Sequence, residues 1–265
     1  MRLSGNKIRT YASVLASLAL LPVWAWPDPV AVRHVEGTIH GFLALRSMEG
    51  KTLAAGDLTQ VVKGAQLVTH LVFRFKDGSI DDETTTYSQR GNFRLLRDEH
   101  VQKGPSFPHP MVVSIDVSHG MVAVRTTESG KEKVETNHFE LPPDLANGLL
   151  MTLLKNLGPG EVESKLPYVV ATPKPRLVKL VIRTEAEENF STAETVRKAT
   201  HYVIKVEIGG LAGVAAPLVG KQPKDIHMWI LGGNAPAFVR MEGQFYEGGP
   251  VWTVELTSPV WPKAR

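Results

Sequence analysis

The stretch QLVTHLVFRFK, Gln66 to Lys76, alternates apolar and polar side chains, and a DG pair follows it. Leu67, Leu71, Phe73 and Phe75 fall on one side; His70, Arg74 and Lys76 fall on the other. A period of two marks a strand with one face in a core and one in water. Asp77-Gly78 tolerates the positive φ of a tight hairpin turn. With a loop of those two residues, Lys76 pairs with Ser79 and Arg74 stands opposite Asp81.

The same pattern recurs along the chain. Val113, Ile115 and Val117 alternate with Ser114, Asp116 and Ser118 before His119-Gly120, and Met121–Arg125 returns. Further strands are expected at Ala31–Leu45, Asn92–Val101, Glu132–His138, Arg176–Arg183, His201–Ile208, Ile226–Leu231, Ala237–Tyr246 and Val251–Thr257. Pro105–Pro110 and Glu185–Ala199 read as loops. One helix is expected over Leu141–Leu157, with prolines at its start, where a missing amide hydrogen costs nothing. Leu145, Leu149 and Leu153 give it an apolar stripe, and Gly158-Pro159-Gly160 ends it. The expected fold is mainly β: one domain over residues 26–265, a single large curved antiparallel sheet, with one principal helix and an apolar plug loop. Such a sheet is a half-barrel or an open barrel.

Residues 1–25 carry Arg2, Lys7 and Arg9, no acid, then an apolar run from Tyr11 to Val23 and small residues up to Ala25. That is the layout of a cleaved export signal; the apolar run is shorter than a membrane span and breaks at Pro22. Removing it takes the charge from 30 basic and 27 acidic residues to 27 of each. Nothing in that balance points to nucleic acid. The chain has no cysteine, which excludes a lipid-modified N-terminal cysteine. The expected product is periplasmic or secreted, soluble and not membrane-spanning.

GGLAGVAAPLVGKQ, Gly209 to Gln222, ends in Gly-Lys and invites a phosphate-loop reading. The motif fails: Ala215 stands where a glycine is required, Gln222 where a hydroxyl is required, and Pro217 removes an amide donor. From Ile208 to Gly220 the loop is free of charge and of polar side chains, which suits a plug or a lid over something apolar. Leu211, Val214, Leu218 and Val219 are expected to pack near Phe73, Phe75 and Trp252.

His34, Glu36 and His40 lie on one side of an expected strand, but the two histidines stand roughly 20 Å apart and cannot share an ion. No metal site or cofactor is expected. Asp81 and Glu83 are expected outside, paired with Arg74 and Lys76, which would leave Asp82 opposite Phe73 with a raised pKa. A longer loop or a bulge would flip the register and turn Asp82 outward, the favoured reading. Asp98-Glu99-His100 is a polar strand end without an evident serine.

The segments HYVIKVEI, His201–Ile208, and IHMWILGGNAPAFVRMEGQFYEGGPVWTVEL, Ile226–Leu256, run strand, apolar loop, strand with Trp229, turn, strand opened by Pro236, glycine turn, strand. This order resembles the closing strands of the bacterial periplasmic lipoprotein-carrier half-barrel and related exported domains. The resemblance implies a curved sheet plugged by helices on its apolar side, and binding of a lipid or acyl chain without catalytic residues. The expected function is therefore a non-catalytic carrier of an apolar envelope molecule, with Leu71, Phe73, Phe75, Leu211, Leu218 and Trp252 against the ligand. The alternatives are an envelope hydrolase using Asp82 or the Asp98/His100 group, and a structural or protein-binding component.

Overall fold

In the computed structural model, which describes residues 29–128, 130–158, 160–170, 172–192, 195–208 and 222–257, one antiparallel sheet of fourteen strands dominates the chain. The first meander comprises β1 Ile39–Ser47, β2 Thr52–Lys63, β3 Gln66–Phe75, β4 Ile80–Arg90, β5 Asn92–Lys103, β6 Met111–Asp116, β7 Met121–Glu128 and β8 Lys131–His138. The helix α1 Leu150–Asn156 follows. The second meander is β9 Glu163–Val170, β10 Arg176–Thr192, β11 Thr195–Glu207, β12 Ile226–Leu231, β13 Ala237–Gln244 and β14 Val251–Thr257. β1 pairs with β14, so the two meanders fuse and leave β8 and β9 as the outer edges. The alternation of the sequence produces this arrangement directly, because each strand has one apolar side that must be covered.

The hairpin between β3 and β4 differs from the tight form. The Phe75 amide donates to the Ser79 carbonyl at 3.0 Å, so the loop is Lys76-Asp77-Gly78, with Gly78 at φ 86°. The Asp77 carboxylate accepts from the Ser79 amide at 2.9 Å and holds the turn. Three residues with a glycine in the left-handed position favour this loop over the two-residue one. The register accordingly places Phe73 opposite Asp81 and Arg74 opposite Ile80. One residue of slip exchanges the faces. Asp82 points outward to His70 at 2.9 Å, as the longer loop requires, while Asp81 and Glu83 turn into the concave side.

Other expectations are corrected. Residues 31–38 contribute one bridge, Ala31 to Asn92, rather than a strand. β2 and β9, which the sequence reading did not identify, are full sheet members. Glu185–Ala199 is the tip of the β10–β11 hairpin, paired from Lys179–Glu207 to Thr192–Thr195, instead of a loop. The helix is shorter than Leu141–Leu157. Gly148 takes φ 63°, and Asn147 bonds through its side chain to both backbone groups of Val169 at 2.9 Å. The Pro143 carbonyl accepts from Leu95 and the Ala146 amide donates to Pro167, so residues 143–147 bridge β5 to the β9 edge and are unavailable to a helix. The segment 209–220, with Leu211 and Leu218, and the leader 1–25 lie outside the described residues.

Two kinds of interaction fill the concave side. Toward the β3–β4 turn, Phe75 contacts Phe107 and Trp252 with ring centroids 5.3 and 5.4 Å away, and Phe245 and Tyr246 join them. Phe73, Phe75, Phe107 and Trp252 are each at least nine-tenths buried, worth about 1.5–3 kcal/mol apiece. Beneath α1 runs a polar network: Lys155 Nζ meets Glu36 at 2.5 Å, Gln60 donates to Glu36, and Tyr87 OH donates to Gln60 at 2.7 Å. A buried charge needs such a partner, and this pair fastens the helix to the segment before β1.

Candidate functional site

Register assembles the site. On the concave face Gly41, Leu58, Leu71, Glu83 and His100 stand opposite one another in succession across β1 to β5. The next row toward the turn, Leu43, Gly56, Phe73, Asp81 and Gln102, is closed; an added Cβ at Gly56 would lie 2.5 Å from the Phe73 ring. The row on the other side is dry at Gln60, Thr85 and Asp98. Between them the Gly41 row is only half-buried. The flanking rows reach water at their outer ends, at Leu256 opposite Leu43 (49 % exposed) and Ile39 opposite Gln60 (43 %). Gly41 opens the floor there, with an ideal Cβ no nearer than 3.9 Å to Leu58 and 4.0 Å to Leu256. The result is a shallow apolar band bounded by two packed rows.

At its far end the band becomes polar. His100 Nε2 lies 3.2 Å from both oxygens of Asp81, and Gln102 donates to Asp81 at 2.7 Å and to the Phe245 carbonyl at 2.8 Å. Thr85 donates to Asp98 at 2.8 Å. Gly148 closes over that pair; a side chain there would fall 1.9 Å from Thr85 Oγ1 and 2.8 Å from Asp98. Burial and the neighbouring Asp98 and Asp81 carboxylates raise Glu83 to about 8, against the opposing pull of His100. Burial raises Asp98 to about 6, although Thr85 and His100 favour its charged form. Burial pulls His100 down, but Asp81, Glu83 and Asp98 together outweigh it and push the imidazole up to about 10. Burial, then the fields of Glu83 and Asp98, push the Tyr168 phenol of β9 well above its ordinary value. Near neutral pH the end of the band thus presents a protonated Glu83 beside an imidazolium–carboxylate pair.

Of the residues singled out from sequence, Leu71 lies in the band, whereas Phe73, Phe75 and Trp252 form the packed aromatic level next to it. Asp98 and His100 come together at the polar end; Asp82 stays outside with His70. Gly41, Leu58 and Tyr168 escaped the sequence reading, and Glu83, expected on the outer face, stands opposite Leu71 instead. The DG turn carried the signal for Glu83, since a three-residue loop sends it inward. Among the described residues no group of three or more His, Asp or Glu side chains is placed to hold a metal ion, and no described helix is long and apolar enough to cross a membrane.

No family model matches the chain, and no curated protein matches it. Among solved structures it is similar to a β-barrel-like protein of the domain of unknown function DUF1849 from Brucella abortus. That similarity has a TM-score of 0.45 at 10 % identity and covers 86 % of this chain and 100 % of that one.

Proposed function

We propose that the chain is an exported, non-catalytic binding protein that carries an apolar envelope molecule, a lipid or acyl chain, along the Gly41–Leu58–Leu71 band. One observation carries the reading: Gly41, Leu58 and Leu71 stay half-buried between the buried Leu43, Gly56 and Phe73 on one side and the buried Gln60 and Thr85 on the other, and the flanking rows themselves end in the exposed Leu256 and Ile39. Apolar surface left in that state gains about 25 cal/mol per Å² when a ligand covers it. The protonated Glu83 suits the same role, because it offers a hydrogen bond to a polar head group without repelling a negative one. Export rests on the basic, apolar and small-residue order of residues 1–25, and N-terminal sequencing of native protein tests it. A fluorescent acyl probe tests the band: Leu71→Asp should weaken its uptake at least about tenfold with the circular dichroism unchanged. Uptake indifferent to Leu71→Asp would refute the site.

The polar end supports a second reading, an envelope hydrolase. Glu83 and Asp98 are carboxyl groups on diagonal positions of paired strands, held at about 8 and about 6, so one is an acid and the other largely a base at neutral pH. Hydrolysis of an envelope ester or glycoside that is lost in Asp98→Asn, with folding intact, would favour this reading over the carrier.

A further inference from the structure

The two edges of the sheet are finished differently. β9 is covered along its second half: Ala146 donates to Pro167, Asn147 takes both backbone groups of Val169, and Pro167 has no amide hydrogen to offer. β8 pairs only with β7. The Phe139 amide donates to the Gly120 carbonyl at 2.8 Å, directly opposite in the same register as the β7–β8 ladder. Bonded pairs alternate, so Lys131, Lys133, Glu135 and Asn137 turn their backbone groups to β7. Glu132, Val134, Thr136 and His138 turn theirs to the open edge. Among the described residues nothing bonds to those groups, and Val134 is 54 % exposed.

We propose that this edge pairs with the β8 edge of a second copy of the chain, antiparallel, about a two-fold axis at Val134. In that register Val134 exchanges both backbone bonds with its symmetry mate, and Glu132 exchanges both with Thr136 of the mate. The non-bonded positions, where side chains come closest, then set Lys133 against Glu135 and Glu135 against Lys133. The neighbouring two-fold registers lack this fit. An axis at Glu132 opposes Glu132 to itself and Lys131 to Lys133; an axis at Thr136 opposes Glu132 to Glu140. An axis at Lys133 or at Glu135 makes that residue a non-bonded pair with its own mate and sets like charges at the closest approach. The charges on β8 therefore discourage promiscuous pairing, as edge charges do, while complementing one partner. Because both copies use the same edge about a two-fold axis, the association closes as an isologous dimer.

Sedimentation equilibrium of the signal-free chain tests this. The parent is expected to be dimeric at micromolar concentration. Val134→Pro removes an amide donor that β7 does not use, and should weaken dimerisation at least about tenfold with unchanged circular dichroism. Lys133→Glu alone and Glu135→Lys alone should each be monomeric, because every cross-strand pair becomes like-charged. An equimolar mixture of the two should dimerise, since each Glu then faces a Lys. A parent that stays monomeric to hundreds of micromolar, or a dimer indifferent to Val134→Pro and to the charge reversals, would overturn the assignment.

Discussion

Two levels of one concave face, a single residue row apart, solve the same problem in opposite ways. At the aromatic level the sheet covers itself: Phe75, Phe107, Phe245, Tyr246 and Trp252 interlock with centroids 5.3–6.2 Å apart. At the other level Gly41 supplies no side chain and Leu58 and Leu71 pack only partly against the core, so the row stays half-buried and runs into titrating groups. The first level holds the fold and the second is free to act. Substitutions should therefore separate stability from binding according to the level they strike.

The largest effect belongs to the packed level. Trp252→Ala empties a site surrounded by four aromatic rings and should cost about 3–5 kcal/mol, read from denaturant unfolding. A loss below about 1 kcal/mol would mean that the aromatic level does not anchor the sheet. Next comes Gly148→Ala, where a left-handed backbone and a contact with Thr85 Oγ1 both oppose a side chain. It should cost about 2–3 kcal/mol and disturb the Asp98 environment.

The band should behave in reverse. Leu58→Ala is expected to cost only about 1 kcal/mol, because the residue is half-buried, yet to weaken uptake of an acyl probe severalfold. A stability loss as large as that of Trp252→Ala would erase the distinction between the levels.

The last effect is electrostatic. Glu83, Asp98 and His100 all bind protons more tightly when folded than when unfolded. Their contributions are complete below the unfolded values and fade as pH rises: Asp98 from about 3.8 to 6, Glu83 from 4.5 to 8, His100 from 6.5 to 10. Stability should decline as pH rises across this span. Glu83→Gln should remove the Glu83 part of the decline and leave the variant more stable than the parent at pH 8, read from denaturant midpoints, while the fall through the His100 range persists. An unchanged profile in the variant would place Glu83 in water.

The sheet was legible in the sequence because alternation leaves a direct imprint, as at Gln66–Phe75 and Met111–Asp116. β2 was not, since TLAAGDLTQVVK interrupts its apolar period with small and polar residues whose placement only cross-strand partners decide. The helix was overdrawn because Leu145 is apolar for another reason: it lies in the bridge from β5 to β9, and the helix starts only after Leu149. The site was half legible. Asp98 and His100 stood out as titratable neighbours, but which face Asp81–Glu83 adopts hung on one loop residue, and Tyr168 reaches the cluster only through tertiary closure.

The central claim, an apolar ligand on the half-open band, is tested most directly by native mass spectrometry of the protein isolated without detergent from native cells. The predicted result is a mass above that of the bare chain, released on denaturation as an acyl-containing molecule and absent from the Leu71→Asp variant. A bare mass for the parent protein, together with no uptake of added acyl probe, would contradict it.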